Sequence, residues 1–204
     1  MITRHNEPLA KYSSFRTGGK AAKIIFPEST EEFVTALREN PGAAVLGNLS
    51  NTLVLDGGID GTVIITTKLN SVSVNGNTVT AAAGASLTSV AVAARDASLA
   101  GCEFLYGIPG TVGGGVFMNA GAYGGEIKDV VISTKYLSND GNISERKGDE
   151  QGFSYRHSNF SDDEVILSAV IKLCHSQKDL IKEKSDDLNS RRREKQPLEY
   201  PSAG

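Results

Sequence analysis

Residues 107–126 read GIPGTVGGGVFMNAGAYGGE, and eight of these twenty residues are glycine. The chain has 22 glycines in 204 residues, so such a cluster does not follow from composition. Glycine permits positive φ and lets another group come close to the backbone. Successive exposed amides can then form a nest for an anion, phosphate above all. A set of tight turns with no ligand is the competing reading, and a generic glycine-rich loop favours it. The segment is neither of the usual phosphate loops. No Lys-Ser or Lys-Thr completes a GxxxxGK[ST] pattern, and no GxGxxG opens a helix after a strand. A second polar turn, GNLSN at 47–51, follows a short apolar strand, AAVLG. Two phosphate-friendly turns on two different pieces of chain suggest a long ligand lying between them.

Working outward, AAKIIFPES predicts a short strand stopped at Pro27. Ser29 or Thr30 then caps a helix, EEFVTALREN, with acids in its first turn and Phe33, Val34 and Leu37 on one face. TLVLDGGIDGTVIITTK predicts strand, glycine turn, strand. SVSVNGNTVTAAAG alternates around Asn75-Gly76 and predicts a hairpin. SLTSVAVAARDASLAGCEFL predicts a helix with Ser86 as N-cap and Gly101 as C-cap. Strands follow in DVVISTKYLS, NISERKG and EVILSAVIKLCH, with a turn at Asp140-Gly141. The charged tail SQKDLIKEKSDDLNSRRREKQ predicts a solvated helix ending before Pro197. The texture divides the chain at about residue 70 into a small βαββ-like piece and a larger α+β piece.

The bulk numbers exclude little but point one way. A net charge of −3 and 6% aromatic residues show no bias toward nucleic acid. Cys102 and Cys174 lie far apart and are expected to be two buried free thiols. His5, His157 and His175 form no cluster with them, so no metal site is expected. The start lacks an apolar signal core, and no run approaches the roughly 20 apolar residues of a membrane helix. A soluble cytoplasmic protein is the expectation.

Five stretches together resemble the UDP-N-acetylenolpyruvoylglucosamine reductase family, in that family's order: KYSSFRTGGKAAKIIFPES, VLGNLSNTLVLDGGIDGTVI, EFLYGIPGTVGGGVFMNAGAYGGEI, FSYRHSNF and RRREKQPLEYPSAG. The resemblance implies an α+β fold, the two-subdomain FAD-binding fold of the PCMH/vanillyl-alcohol-oxidase type. Its first subdomain would cover 1–70 and its second 71–175, with a helical connector at 176–204. It implies dissociable FAD, NADPH as reductant and UDP-N-acetylglucosamine enolpyruvate as substrate, reduced on the way to peptidoglycan. It also places a proton-donating serine just beyond Gly204, and an assisting glutamate in a further substrate domain. The chain is therefore expected to keep flavin binding and to lose the full reaction. A flavin-binding module without turnover is the alternative.

Carried over residue by residue, Arg156 is similar to the family arginine beside the enolpyruvyl carboxylate. A guanidinium there would steady the charge that develops when hydride adds beta to a carboxylate. Gly47, Asn48, Leu49, Ser50 and Asn51 correspond to the first flavin loop. Gly107, Ile108, Pro109, Gly110, Thr111, Val112, Gly113 and Gly114 correspond to the second, and Asn119, Ala120, Gly121, Ala122 and Tyr123 to its continuation. Tyr155 and Arg193 are the expected substrate contacts. Leu49 departs from the pattern, since the family usually has glycine there. If that position needs positive φ, leucine costs roughly 1–2 kcal/mol, and Leu49→Gly is expected to hold or improve flavin retention.

Overall fold

The computed structural model describes residues 1–196 and 200–201. The PSAG match falls largely outside the described residues.

The first sheet is built from β1 (Ile2–Pro8), β2 (Lys20–Phe26), β3 (Ala44–Leu46) and β4 (Ile59–Ile65), in the order β1-β2-β4-β3. β1 runs antiparallel to β2, and β4 runs parallel to both β2 and β3. The helix α1 (Thr30–Glu39) makes the crossover from β2 to β3. Its start is fixed as the sequence predicts, with the Ser29 hydroxyl accepting from the Glu32 amide at 3.2 Å. The central strands carry apolar residues on both faces. Ile24, Phe26, Val63 and Ile65 face one core with Leu9 and Leu49. Ile25 and Ile64, one residue out of phase, face another core with Phe33, Val34 and Ala36 of α1.

The second sheet is antiparallel. It contains β5 (Val72–Asn75), β6 (Thr78–Ala82), β10 (Val131–Leu137), β11 (Ile143–Lys147) and β12 (Val165–Lys172), in the order β11-β10-β12-β6-β5. Two helices pack on it, α2 (Leu87–Asp96) and α3 (Val112–Phe117). Short pairs complete the element list: β7 (Leu99–Ala100) with β13 (Cys174–His175), and β8 (Gly121–Ala122) with β9 (Gly125–Glu126). Leu137 and Leu167 of the second sheet pack into the same core as α1, so α1 lies between the two sheets.

Five local expectations change. Thr52–Leu55 is not a strand: Leu53 and Leu55 are exposed, and only Val54 turns inward. The hairpin connection is Gly76–Asn77, one residue beyond the expected pair, because Asn75 still pairs with Thr78. α2 stops at Ala97, and Ser98 rather than Gly101 supplies the first left-handed residue, at φ +58°. Cys174 is exposed, whereas Cys102 is buried as expected. Burial pushes the Cys102 thiol up to about 12, aided by the neighbouring Glu103 charge, so it is inert at neutral pH. The fifth change is α4 (Lys178–Lys195), which is docked rather than freely solvated. Ile181, Ser185, Leu188 and Arg192 form a buried stripe at helical spacing against the Glu103–Leu105 turn and α2.

Among the described residues no helix is long and apolar enough to cross a membrane.

Candidate functional site

The chain leaving β3 and the chain entering α3 meet at Gly47 and Thr111. A Cβ at position 47 would run into the Thr111 hydroxyl, so glycine is needed for this approach. Thr111 is held in turn by the strand and loop that precede α2. Leu87 N–H donates to Gly110 O at 3.0 Å, Val112 N–H to Ala85 O at 2.8 Å, and Gly113 N–H to Ala83 O at 2.8 Å. These bonds change the expected role of the glycines. The Val112 and Gly113 amides are already taken and offer no nest to an anion. Gly47 acts by leaving room for Thr111.

A cleft of about 640 Å³ lies between the two sheets' loops, lined by Val45, Gly47, Asn51, Thr111, Gly114 and Arg156 among others. At Gly114 a Cβ would find nothing nearer than the Thr111 hydroxyl, 3.8 Å away. A second hollow of about 390 Å³ lies over the β8–β9 hairpin and is lined by Gly121, Ala122, Tyr123, Glu126, Lys128 and Arg156. Arg156 borders both.

Arg156 stands on an exposed turn at φ +53°. Its guanidinium donates to Gly121 O at 3.3 Å and lies 5.6 Å from the Tyr155 ring centroid. Tyr155 itself is 82% exposed and projects from the same turn. Beneath the turn, the Lys128 ammonium 2.6 Å from the Glu126 carboxylate holds that carboxyl below its usual range, with the Asn119 amide and Arg156 adding to the effect. Glu126 is thus an anion in a hollow whose other charged lining residues are Lys128, Asp129 and Arg156.

The other expected residues fall into three groups. Leu49 is 2% exposed at φ +52°, so the position does require the left-handed conformation, and the side chain is core. Val112, Asn119 and Ala120 are also buried and border neither hollow. Asn48, Ser50, Ile108, Pro109 and Gly110 shape the loops, with Ser50 and Gly110 close to each other. Gly107, at φ +83°, lies against the Arg192 side chain.

Arg193 is exposed at the end of α4. Arg192 is the buried member of the triplet, at 8% exposure, with its guanidinium 5.7 Å from the Tyr123 ring centroid. The Arg192 Nε is buried and has no hydrogen-bond partner among the described residues. The signal was in the spacing: Arg192 continues the Ile181, Ser185, Leu188 stripe, and Arg193 does not. Other lining residues had no signal of their own. Thr66, Asp162, Glu164 and Ile166 reach the cleft only because β4 ends and β12 begins beside it. Met118 borders it as well, with its sulfur accepting from the Asn51 amide at 3.9 Å.

Known proteins resemble this arrangement closely. Residues 21–146 match the FAD binding domain family. The chain is 48% identical over 206 residues to the UDP-N-acetylenolpyruvoylglucosamine reductase of Limosilactobacillus reuteri, covering 98% of this chain and 69% of that relative. The crystal structure of UDP-N-acetylenolpyruvylglucosamine reductase (MurB) from Thermus caldophilus superposes with a TM-score of 0.87 at 33% identity, over all of this chain and 74% of that one. 6-Hydroxy-D-nicotine oxidase from Arthrobacter nicotinovorans superposes with a TM-score of 0.64 at 16% identity, over 85% of this chain and 42% of that one, which is a likeness of fold alone.

Proposed function

This chain belongs to the UDP-N-acetylenolpyruvoylglucosamine reductase family and carries that family's FAD-binding part; on that premise we propose that its cleft holds dissociable FAD and that Arg156 meets the substrate's carboxylate. The observation that carries the reading is the open face of Gly114 beside Thr111, in a cleft of about 640 Å³ that Arg156 borders. The lining fits a flavin nucleotide: backbone and small side chains at Gly47, Asn51, Thr111 and Gly114, with the apolar Phe117, Met118 and Ile166 beside them. Gly47, Asn51, Thr111, Gly113 and Gly114 would hold the cofactor, with Met118 and Ile166 against its apolar surface.

When bound, FAD supplies a two-electron carrier between NADPH and the enolpyruvyl double bond of UDP-N-acetylglucosamine enolpyruvate. Arg156 does the electrostatic work. Its guanidinium spends one N–H on Gly121 O and has no other hydrogen bond among the described residues, so a fork remains for a carboxylate. A permanent cation there favours charge that builds toward the carboxylate as the double bond is reduced. Tyr155, exposed on the same turn, would meet the substrate there. Arg192 would offer its Nε, unpartnered among the described residues, to an anionic part of cofactor or substrate, and Arg193 an exposed charge at the surface. The reaction belongs to a cytoplasmic protein in peptidoglycan precursor synthesis.

The test is the visible spectrum of the purified chain before and after adding FAD and desalting. A retained flavin band that bleaches anaerobically with NADPH is expected. A folded but colourless protein would sink the proposal, and a retained band indifferent to NADPH would remove the reductant from it.

A further inference from the structure

Asn119 was expected to touch the cofactor. It is 0% exposed and borders neither hollow. Its side-chain amide is instead fully engaged. Nδ2 donates to Ser154 O at 2.8 Å and to the Glu126 carboxylate at 3.3 Å, while Oδ1 accepts from the Lys128 amide at 3.0 Å. The partners settle which end is which, because a carbonyl and a carboxylate need donors and an amide N–H needs an acceptor.

Ser154 opens the turn that carries Arg156. Its carbonyl also accepts from His157 N–H at 3.3 Å, and Ser154 N–H donates to His157 O at 3.0 Å. Two further bonds join this turn to the glycine-rich segment. The Ser158 hydroxyl donates to Phe117 O at 2.6 Å, and the Arg156 guanidinium donates to Gly121 O at 3.3 Å. Residues 117, 119 and 121, alternate positions along one stretch, therefore hold 158, 154 and 156. Arg156 and Asn119 both sit in the left-handed region, at φ +53° and +44°. Such conformations persist where surrounding contacts over-determine them.

We propose that Asn119 is the positioning residue of Arg156: buried beneath the turn, it ties the flavin-side segment to Ser154 and so sets where the arginine stands at the cleft, without touching cofactor or substrate. The function assigned to Arg156 rests on the reading above, whereas the tether does not. The experiment compares the chain with Asn119→Gly, which keeps the positive φ and removes the amide, with Ser158→Ala, and with Arg156→Lys. Three quantities are read: the order of the Arg156 Nε–H group by NMR, FAD affinity, and the affinity of the FAD-loaded chain for a 2-alkoxyacrylate, followed through the flavin band.

Asn119→Gly is expected to loosen Arg156 and weaken alkoxyacrylate binding about tenfold, while FAD affinity stays within about threefold. Ser158→Ala should move the same readouts in the same direction, and it carries the test if Asn119→Gly does not fold. An Arg156 signal as ordered as before, or FAD affinity lost in step with alkoxyacrylate affinity, would overturn the proposal. If Arg156→Lys leaves alkoxyacrylate binding unchanged while Asn119→Gly still loosens Arg156, the tether stands and the substrate role of Arg156 falls.

Discussion

Leu49 holds two opposing effects in one residue. At φ +52° its Cβ costs about 1–2 kcal/mol relative to glycine. Its side chain is packed among Leu9, Ile24, Val54 and Val63, where truncating a leucine costs about 2–5 kcal/mol. Burial is the larger effect. Leu49→Gly should therefore destabilise the chain, by roughly 1–3 kcal/mol in urea unfolding of the apo form, rather than improve flavin retention. An unchanged or higher midpoint would show that strain dominates. Gly114 is the opposite case: it lies inside α3 with open space where a methyl would go. Gly114→Ala should stabilise the apo chain by about 0.5–1 kcal/mol, since alanine suits a helix better. It should also weaken FAD binding, because the methyl enters the cleft. A thermal melt and an FAD titration should thus move in opposite directions; if both improve, FAD does not lie along Gly114.

At the scale of elements, the two helices least legible in the sequence are those made by tertiary contacts. α3 contains three consecutive glycines, each costing about 1 kcal/mol against alanine in a helix interior. It forms because the Val112 and Gly113 amides are captured by Ala85 O and Ala83 O and because Val116 packs into the core. α4 is strongly charged, and its apolar residues are few, yet Ile181 and Leu188 fall on one buried stripe while Leu180 stays exposed. Most helical stability in proteins comes from such packing rather than from propensity. Leu188→Ala should cost about 2–4 kcal/mol locally, seen as loss of hydrogen-exchange protection along 178–195. Its effect should extend to Arg192 and the Gly107 loop that the arginine touches. Unchanged protection would mean that the stripe contributes little.

At the scale of the whole molecule, the cleft's wall from the second sheet is braced by a charged pair. Arg146 makes two hydrogen bonds to Glu164, at 2.8 and 2.9 Å. Its guanidinium packs beside the edge-to-face pair of Tyr136 and Phe160, 4.5 and 4.7 Å from their ring centroids. Burial pushes the Glu164 carboxyl up, and the Arg146 guanidinium with the Ser161 amide more than reverses this, so the carboxyl sits below its usual range. A depressed carboxyl stabilises the fold fully above its unfolded value, roughly pH 4–5, and loses that contribution as pH falls toward the folded value. The stability of the chain should decline on acidification below about pH 4.5, and Glu164→Gln should decline less steeply. Equal slopes in urea unfolding across that range would show that the pair does not couple to folding.

The features legible along the chain were local. The Ser29 and Ser86 caps, the β5–β6 hairpin and the short apolar runs of β2 and β4 depend on neighbours a few residues away, and short motifs carry them. Family membership was legible for the same reason: the motifs around Gly47, Gly107–Gly125 and Arg156 are contiguous. The tertiary structure alone decided which side chains face the cleft. Thr66 and Glu164 reach it, Asn119 turns away beneath the Arg156 turn, and Arg192 rather than Arg193 is buried. Those outcomes depend on how two sheets stack around α1 and on the rotation of α4 against its neighbours. They are fixed by packing between residues far apart in the chain, which no local pattern encodes.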